Sequence, residues 1–120
     1  MKILLVDDSK TMRMIVQRTM RQAGLGGHDI TEASSAVEAL EILRAQPFDL
    51  VLSDWNMPEM TGLELLQTMR SKGIRSSFGF VTSEGTQPMR DQAAESGALF
   101  LLAKPFTVES FEQTLKPILR

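Results

Sequence analysis

Short runs of apolar residues alternate along the chain with longer segments in which apolar residues recur at helical spacing. The runs are Ile3 to Val6, Leu50 to Leu52, Phe78 to Val81 and Leu99 to Ala103. Residues that are apolar at successive positions suit strands covered on both faces, as in a parallel sheet between helices. Asp29 to Ala33 is more polar and predicts an edge strand. Between the first two strands, Met12, Ile15, Val16, Thr19, Met20 and Ala23 form one helical stripe, with Ser9 as N-cap and Gly24 as stop. Ser35-x-x-Glu38 and Thr61-x-x-Glu64 read as capping boxes that open the second and third helices. The second is expected to bury Ala36, Leu40 and Leu43 before Pro47, and the third Leu63, Leu66 and Met69 before Gly73. A fourth, from about Thr86 to Ser96, has little to bury beyond Met89, Ala93 and Ala94, and is expected to be the most mobile. The last sets Val108, Phe111, Leu115 and Ile118 on one face, with Pro117 loosening its final turn. Gly79, inside the fourth strand, is expected to admit a closely packed helix.

Five strands alternating with five helices predict an α/β chain, a (βα)5 doubly wound parallel five-stranded sheet with right-handed crossovers. A length of 120 residues suits a single domain spanning 1–120. Thirteen basic against fifteen acidic residues, a net charge of −2 and no basic run argue against a nucleic-acid surface. The longest apolar run, Ala98 to Ala103, is far short of the roughly 20 residues of a membrane-spanning helix, and the first strand meets Asp7 too early for a secretory signal. No membrane insertion and a cytoplasmic location are therefore expected. The chain has no Cys, which excludes disulfides, thiolate metal sites and Cys nucleophiles.

In sheets of this kind ligands sit beyond the carboxyl ends of the strands. Those ends carry Asp7 and Asp8, then Asp54, then Thr82 and Ser83, then Lys104. A carboxylate pair about 4 Å apart repels by roughly 4 kcal/mol at an effective dielectric of 20, so the cluster calls for positive charge. Lys104 supplies one, and a bound cation is expected to supply the rest. Hard oxygen donors with no His or Cys beside them select Mg2+, or Mn2+ in its place, and such a site recruits a phosphoryl group as a further ligand. A lone Asp after a strand is commonly just a turn former. An acidic pair, a single Asp, a hydroxyl and a Lys, each ending a different strand, is not explained that way.

With these residues go Val6-Asp7-Asp8-Ser9, Asp54-Trp55-Asn56-Met57-Pro58, Gly62-Leu63-Glu64-Leu65-Leu66, Val81-Thr82-Ser83 and Lys104-Pro105-Phe106. In this order and spacing they resemble the receiver domains of two-component response regulators, most closely the stand-alone chemotaxis type, over essentially the whole chain. The resemblance implies a flavodoxin-like sheet of order 2-1-3-4-5 and a cis Lys104-Pro105 bond. It implies that Asp54 accepts a phosphoryl group from a sensor histidine kinase or phosphotransfer protein. Asp8, Asp54 and the Asn56 carbonyl would ligate Mg2+, with Asp7 holding a metal-bound water. Lys104 would pair with the phosphoryl group, and Thr82 would move to bond it. Asn56 and Glu84 would tune access of the hydrolytic water and give a short-lived phosphoryl state. Helix 4, strand 5 and helix 5 would signal to a downstream protein such as a flagellar motor component, and Gly85 would free the intervening loop to respond.

The resemblance breaks at Leu101, where the family usually carries a Tyr or Phe that rotates with Thr82. Phe100 is expected to point to the other face of the strand. Trp55 is read either as a half-exposed reporter of Asp54 or as core, and His28 as a solvated residue at a strand entry. Two other readings of the site stand beside this one. One is an Mg2+-dependent aspartate-nucleophile phosphohydrolase of the haloacid dehalogenase type, although Asn56 stands where such enzymes want a second acid. The other is a receiver that binds partners without phosphorylation, which the intact set of site residues disfavours.

Overall fold

The chain folds as β1 (Lys2–Val6), α1 (Lys10–Gln22), β2 (Asp29–Ala33), α2 (Ala36–Ala45), β3 (Leu50–Ser53), α3 (Gly62–Ser71), β4 (Ser77–Thr82), α4 (Gln87–Glu95), β5 (Phe100–Ala103) and α5 (Val108–Leu115). The structure is a computed structural model and describes residues 1–119. All strand pairings are parallel and the order is β2-β1-β3-β4-β5, the expected doubly wound sheet.

Alternation along the strands divides the interior into two cores. Leu4, Val6, Val51, Phe78 and Phe80 face α2, α3 and α4. Ile3, Leu5, Leu50, Leu52, Val81 and Leu102 face α1 and α5. Because both faces of β1 and β3 are covered, every residue from Ile3 to Val6 and from Leu50 to Ser53 is buried, which is why Ile3 to Val6 and Leu50 to Leu52 are apolar without a period of two.

The helix starts at Ser9, Ser35 and Thr61 follow the predicted caps, and Thr107 adds one that the sequence reading did not name. Of the two expected boxes only Thr61–Glu64 is reciprocal; the Glu38 carboxylate accepts from Ser34 N–H and Ser34 Oγ instead of from Ser35 N–H. Ser9, Ser35, Thr61, Thr86 and Thr107 each accept a hydrogen bond from the main-chain N–H three residues on, satisfying a donor left free in the first turn. Gly24 and Gly73 follow α1 and α3 with positive φ. At the far end, α5 closes at Leu115, before Pro117.

The buried faces differ from the sequence expectation in detail. In α3, Leu65 is fully buried and Leu63 only half-buried, because the stripe that faces the sheet runs through Gly62, Leu65, Leu66 and Met69. In α1, Ile15 remains exposed and borders an apolar groove rather than the core. Only Ala93 of α4 is buried, and Ala94 is exposed. Gly79 serves a different purpose from the one expected. An added Cβ would lie 2.1 Å from the Phe100 ring, so the close neighbour is an aromatic side chain on the adjoining strand, not a helix.

Candidate functional site

The parallel ladder extends one residue beyond three of its strands, and those residues are the ones that carry charge. Asp7 N–H donates to the Ala33 carbonyl of β2 at 3.1 Å, and Asp54 N–H to the Val6 carbonyl of β1 at 3.0 Å. Lys104 N–H donates to the Thr82 carbonyl of β4 at 2.7 Å. Each main chain is held by the last residue of the neighbouring strand, so the three side chains leave the sheet at fixed positions along one edge. The Lys104–Pro105 bond that follows is cis, as the resemblance implied.

The Lys104 ammonium lies between two carboxylates, 3.2 Å from Asp7 Oδ2 and 3.4 Å from Asp54 Oδ2. The other oxygens are taken by main-chain donors, Asp7 Oδ1 by Ser9 N–H at 2.9 Å and Asp54 Oδ1 by Trp55 N–H at 2.7 Å. Burial pushes the Asp7 carboxyl above its ordinary value of 3.8; the nearby Asp54 charge adds to the rise, and the Ser9 hydrogen bond and Lys104 oppose it. Asp8 is exposed at the rim. Oxygens of Asp7, Asp8 and Asp54 lie within 4.8 Å of one another, and this is the acidic group among the described residues with the geometry to hold a metal ion. Three carboxylates against one ammonium formally leave two negative charges, and all the side-chain donors are hard oxygens, which fits Mg2+ or Mn2+.

Thr82 ends β4 and is fully buried. Its Oγ1 accepts a long hydrogen bond, 3.4 Å, from Glu84 N–H. Across the mouth of the site, Asn56 Nδ2 donates to Glu84 Oε1 at 3.2 Å and so ties the β3–α3 loop to the β4–α4 loop. Trp55 is buried and packs on Phe80 with ring centroids 4.7 Å apart, which settles its placement as core. Leu101 and Phe100 pack against opposite cores, as alternation along the strand requires.

Several contributors escaped the sequence reading. Arg13 reaches back from α1 to donate to the Asp7 carbonyl and to Glu32 Oε1, the latter at 2.8 Å. An Arg one turn into the helix that follows an acidic strand end is the signal that was available. Gly62 carries a contact that motif position alone did not explain: its N–H donates to the Trp55 carbonyl at 2.8 Å, bringing the start of α3 against the main chain of Asp54. Beside Lys104 an apolar groove of about 320 Å³ is lined by Met12, Ile15, Ser83, Pro105 and Phe106.

The family model for the response regulator receiver domain matches residues 3–116. The chain belongs to the response regulator receiver family. Relatives of this receiver domain include a probable chemotaxis protein CheY of Rhizobium etli, 35% identical over 98% of this chain and 91% of that protein. A chemotaxis protein CheY homolog of Campylobacter jejuni is 37% identical over 99% of this chain and 92% of that protein. Among solved structures, chemotaxis protein CheY4 of Vibrio cholerae superposes with a TM-score of 0.85 at 32% identity, covering 98% of both chains. Receivers of other response regulators share the fold at lower identity, among them one of a Luxo repressor protein from Vibrio parahaemolyticus at 20% and a TM-score of 0.88. No helix among the described residues is long and apolar enough to cross a membrane.

Proposed function

We propose that this receiver is a signalling protein of the chemotaxis type in which Asp54 accepts a phosphoryl group from the phosphohistidine of a sensor kinase or phosphotransfer protein. The observation that carries this reading is the position of Lys104, within reach of both Asp7 and Asp54, in a site that keeps an excess of negative charge. A carboxylate oxygen of Asp54 attacks phosphorus as the P–N bond breaks; the imidazole nitrogen keeps the electron pair, and an aspartyl phosphate results. The Trp55 N–H and the Lys104 ammonium hold the Asp54 carboxylate in place for that attack. Asp8, Asp54 and the Asn56 carbonyl would hold Mg2+, with Asp7 orienting a water. When bound, that ion offsets charge on the equatorial phosphoryl oxygens.

After transfer, Lys104 pairs with a phosphoryl oxygen and Thr82 turns its hydroxyl to another, giving up its long bond to Glu84. The new charge thereby acts on the β4–α4 loop and on α4, the helix with the smallest buried face. The face formed by α4, β5 and α5 is the one offered to a downstream protein, such as a flagellar motor component. Water ends the state by breaking the P–O bond and releasing phosphate. Asn56 and Glu84, bonded across the mouth, set that rate, and we expect self-dephosphorylation in seconds to minutes; a phospho-form lasting many hours would sink that expectation. The chain catalyses only its own phosphorylation and dephosphorylation. It acts in the cytoplasm, where kinase and target meet it.

Incubation with Mg2+ and acetyl phosphate, read by mass, tests the central claim. One phosphoryl group is expected on the wild type and none on Asp54→Ala. No adduct on the wild type, or an equal adduct on the variant, overturns it. Sustained turnover of small phosphomonoesters would instead favour the phosphohydrolase reading.

A further inference from the structure

The loop after β4 touches β5 at a point the phosphoacceptor site does not reach. A Cβ added to Gly85 would lie 3.1 Å from Arg90 Nη2, 3.2 Å from the Ala103 Cβ and 3.7 Å from the Leu101 side chain. The room that Gly85 leaves is thus taken by the guanidinium of Arg90, folded back from α4. Its Nε donates to the Gly85 carbonyl at 3.3 Å and its Nη1 to the Leu101 carbonyl at 3.0 Å. One rigid, planar group joins the β4–α4 loop to the edge strand β5. The two carbonyls flank the site symmetrically in sequence, Gly85 three residues after Thr82 and Leu101 three residues before Lys104.

We propose that Arg90 is the positioning residue that couples the β4–α4 loop to β5, so that displacement of the loop is carried to the strand through its guanidinium. The proposal rests on the reading of Asp54 as phosphoacceptor. The fork of a guanidinium has fixed geometry, and a hydrogen bond weakens steeply once the acceptor leaves its direction. If Thr82 draws the loop toward Asp54, Arg90 cannot keep both carbonyls unless β5 follows. The clamp therefore pulls the Leu101 segment with it, and β5 follows the loop without the rotation of an aromatic side chain, for which Leu101 offers no ring.

The test uses the full chain labelled with 15N, with Mg2+ and beryllium fluoride as the phosphoryl mimic. Bound fluoride is read by 19F resonance, the Arg90 Nε–H by its own cross-peak, and the Ser83–Met89 and Leu101–Ala103 segments by amide exchange. In the wild type, binding is expected to move the Arg90 cross-peak and to change exchange in both segments. In Arg90→Ala, fluoride should bind as before and the loop should still respond, while the response of Leu101–Ala103 falls roughly five-fold or more. Arg90→Lys, which can reach only one carbonyl at a time, should retain part of it. A full β5 response in Arg90→Ala, or an Arg90 cross-peak unmoved in wild type with fluoride bound, overturns the proposal while leaving the acceptor reading intact. Absence of bound fluoride in the wild type overturns the acceptor reading, and the coupling with it.

Discussion

Gly62 stands so close to Asp54 that a Cβ at that position would lie 2.1 Å from the Asp54 carbonyl oxygen. The obstacle is main chain, not the end of a side chain that can swing aside, and the Phe80 ring blocks the other direction at 3.0 Å. Gly62→Ala is therefore expected to cost about 1–3 kcal/mol of stability through forced displacement of α3 or of Asp54. It should also lower adduct formation at Asp54 more than an equally destabilising change in the α1–α5 core, such as Val16→Ala. Chemical denaturation together with acetyl phosphate labelling checks both halves.

Gly79 and Phe100 make a second pair in which an absent side chain is filled by a neighbour. Gly79→Ala should displace the half-buried Phe100 ring and cost about 1 kcal/mol, and Phe100→Ala should expose the glycine backbone at a similar cost. With the ring gone, the three atoms nearest the added methyl are removed. The double variant is accordingly expected to be more stable than the sum of the single effects by roughly 0.5–1 kcal/mol, measured as a double-mutant cycle.

Asp7 is predicted to weaken the fold it belongs to when no divalent ion is present. Burial raises its carboxyl above 3.8, so the folded chain takes up this proton more readily than the unfolded chain does. The destabilising contribution is therefore full above the raised value and fades as pH falls through it toward 3.8. In EDTA, Asp7→Asn should melt higher than wild type at neutral pH, and the gap should narrow on acidification. In Mg2+ the order should shrink or reverse, because the variant loses one negative charge from the site. Thermal melts across pH in both buffers provide the measurement.

Lys104 faces the opposite test. Its ammonium is the cation within 4 Å of both Asp7 and Asp54, and all three side chains are largely shielded from solvent. Lys104→Met should cost about 1–3 kcal/mol in EDTA by leaving the carboxylates without that partner. Mg2+ should recover more of this loss than it adds to the wild type, yet beryllium fluoride should bind at least about ten-fold more weakly, since the cation opposite the phosphoryl group is gone. A variant that binds the mimic as well as wild type would remove Lys104 from the proposed chemistry.

Much of this could be read from the chain alone because it depends on neighbours in sequence. Ser9, Ser35 and Thr61 cap helices through the residue three positions on, and the runs at Ile3 and Leu50 are apolar because both faces of their strands are covered. The alternation of those runs with helical stripes determined a parallel doubly wound sheet, and its strand ends named Asp7, Asp8, Asp54, Thr82 and Lys104 as one group. Side-chain placement was decided by packing between segments distant in sequence. That Trp55 lies under Phe80, that Phe100 covers Gly79 and that Ile15 stays outside the core are consequences of which surfaces meet. The same holds for Arg90, whose bonds to Gly85 and Leu101 exist only because the sheet brings β5 beside the loop that follows β4. Local spacing determines helices, strands and the order of chemical groups; distances between groups from different strands are set by the register of the sheet and the close approaches that Gly62 and Gly79 allow.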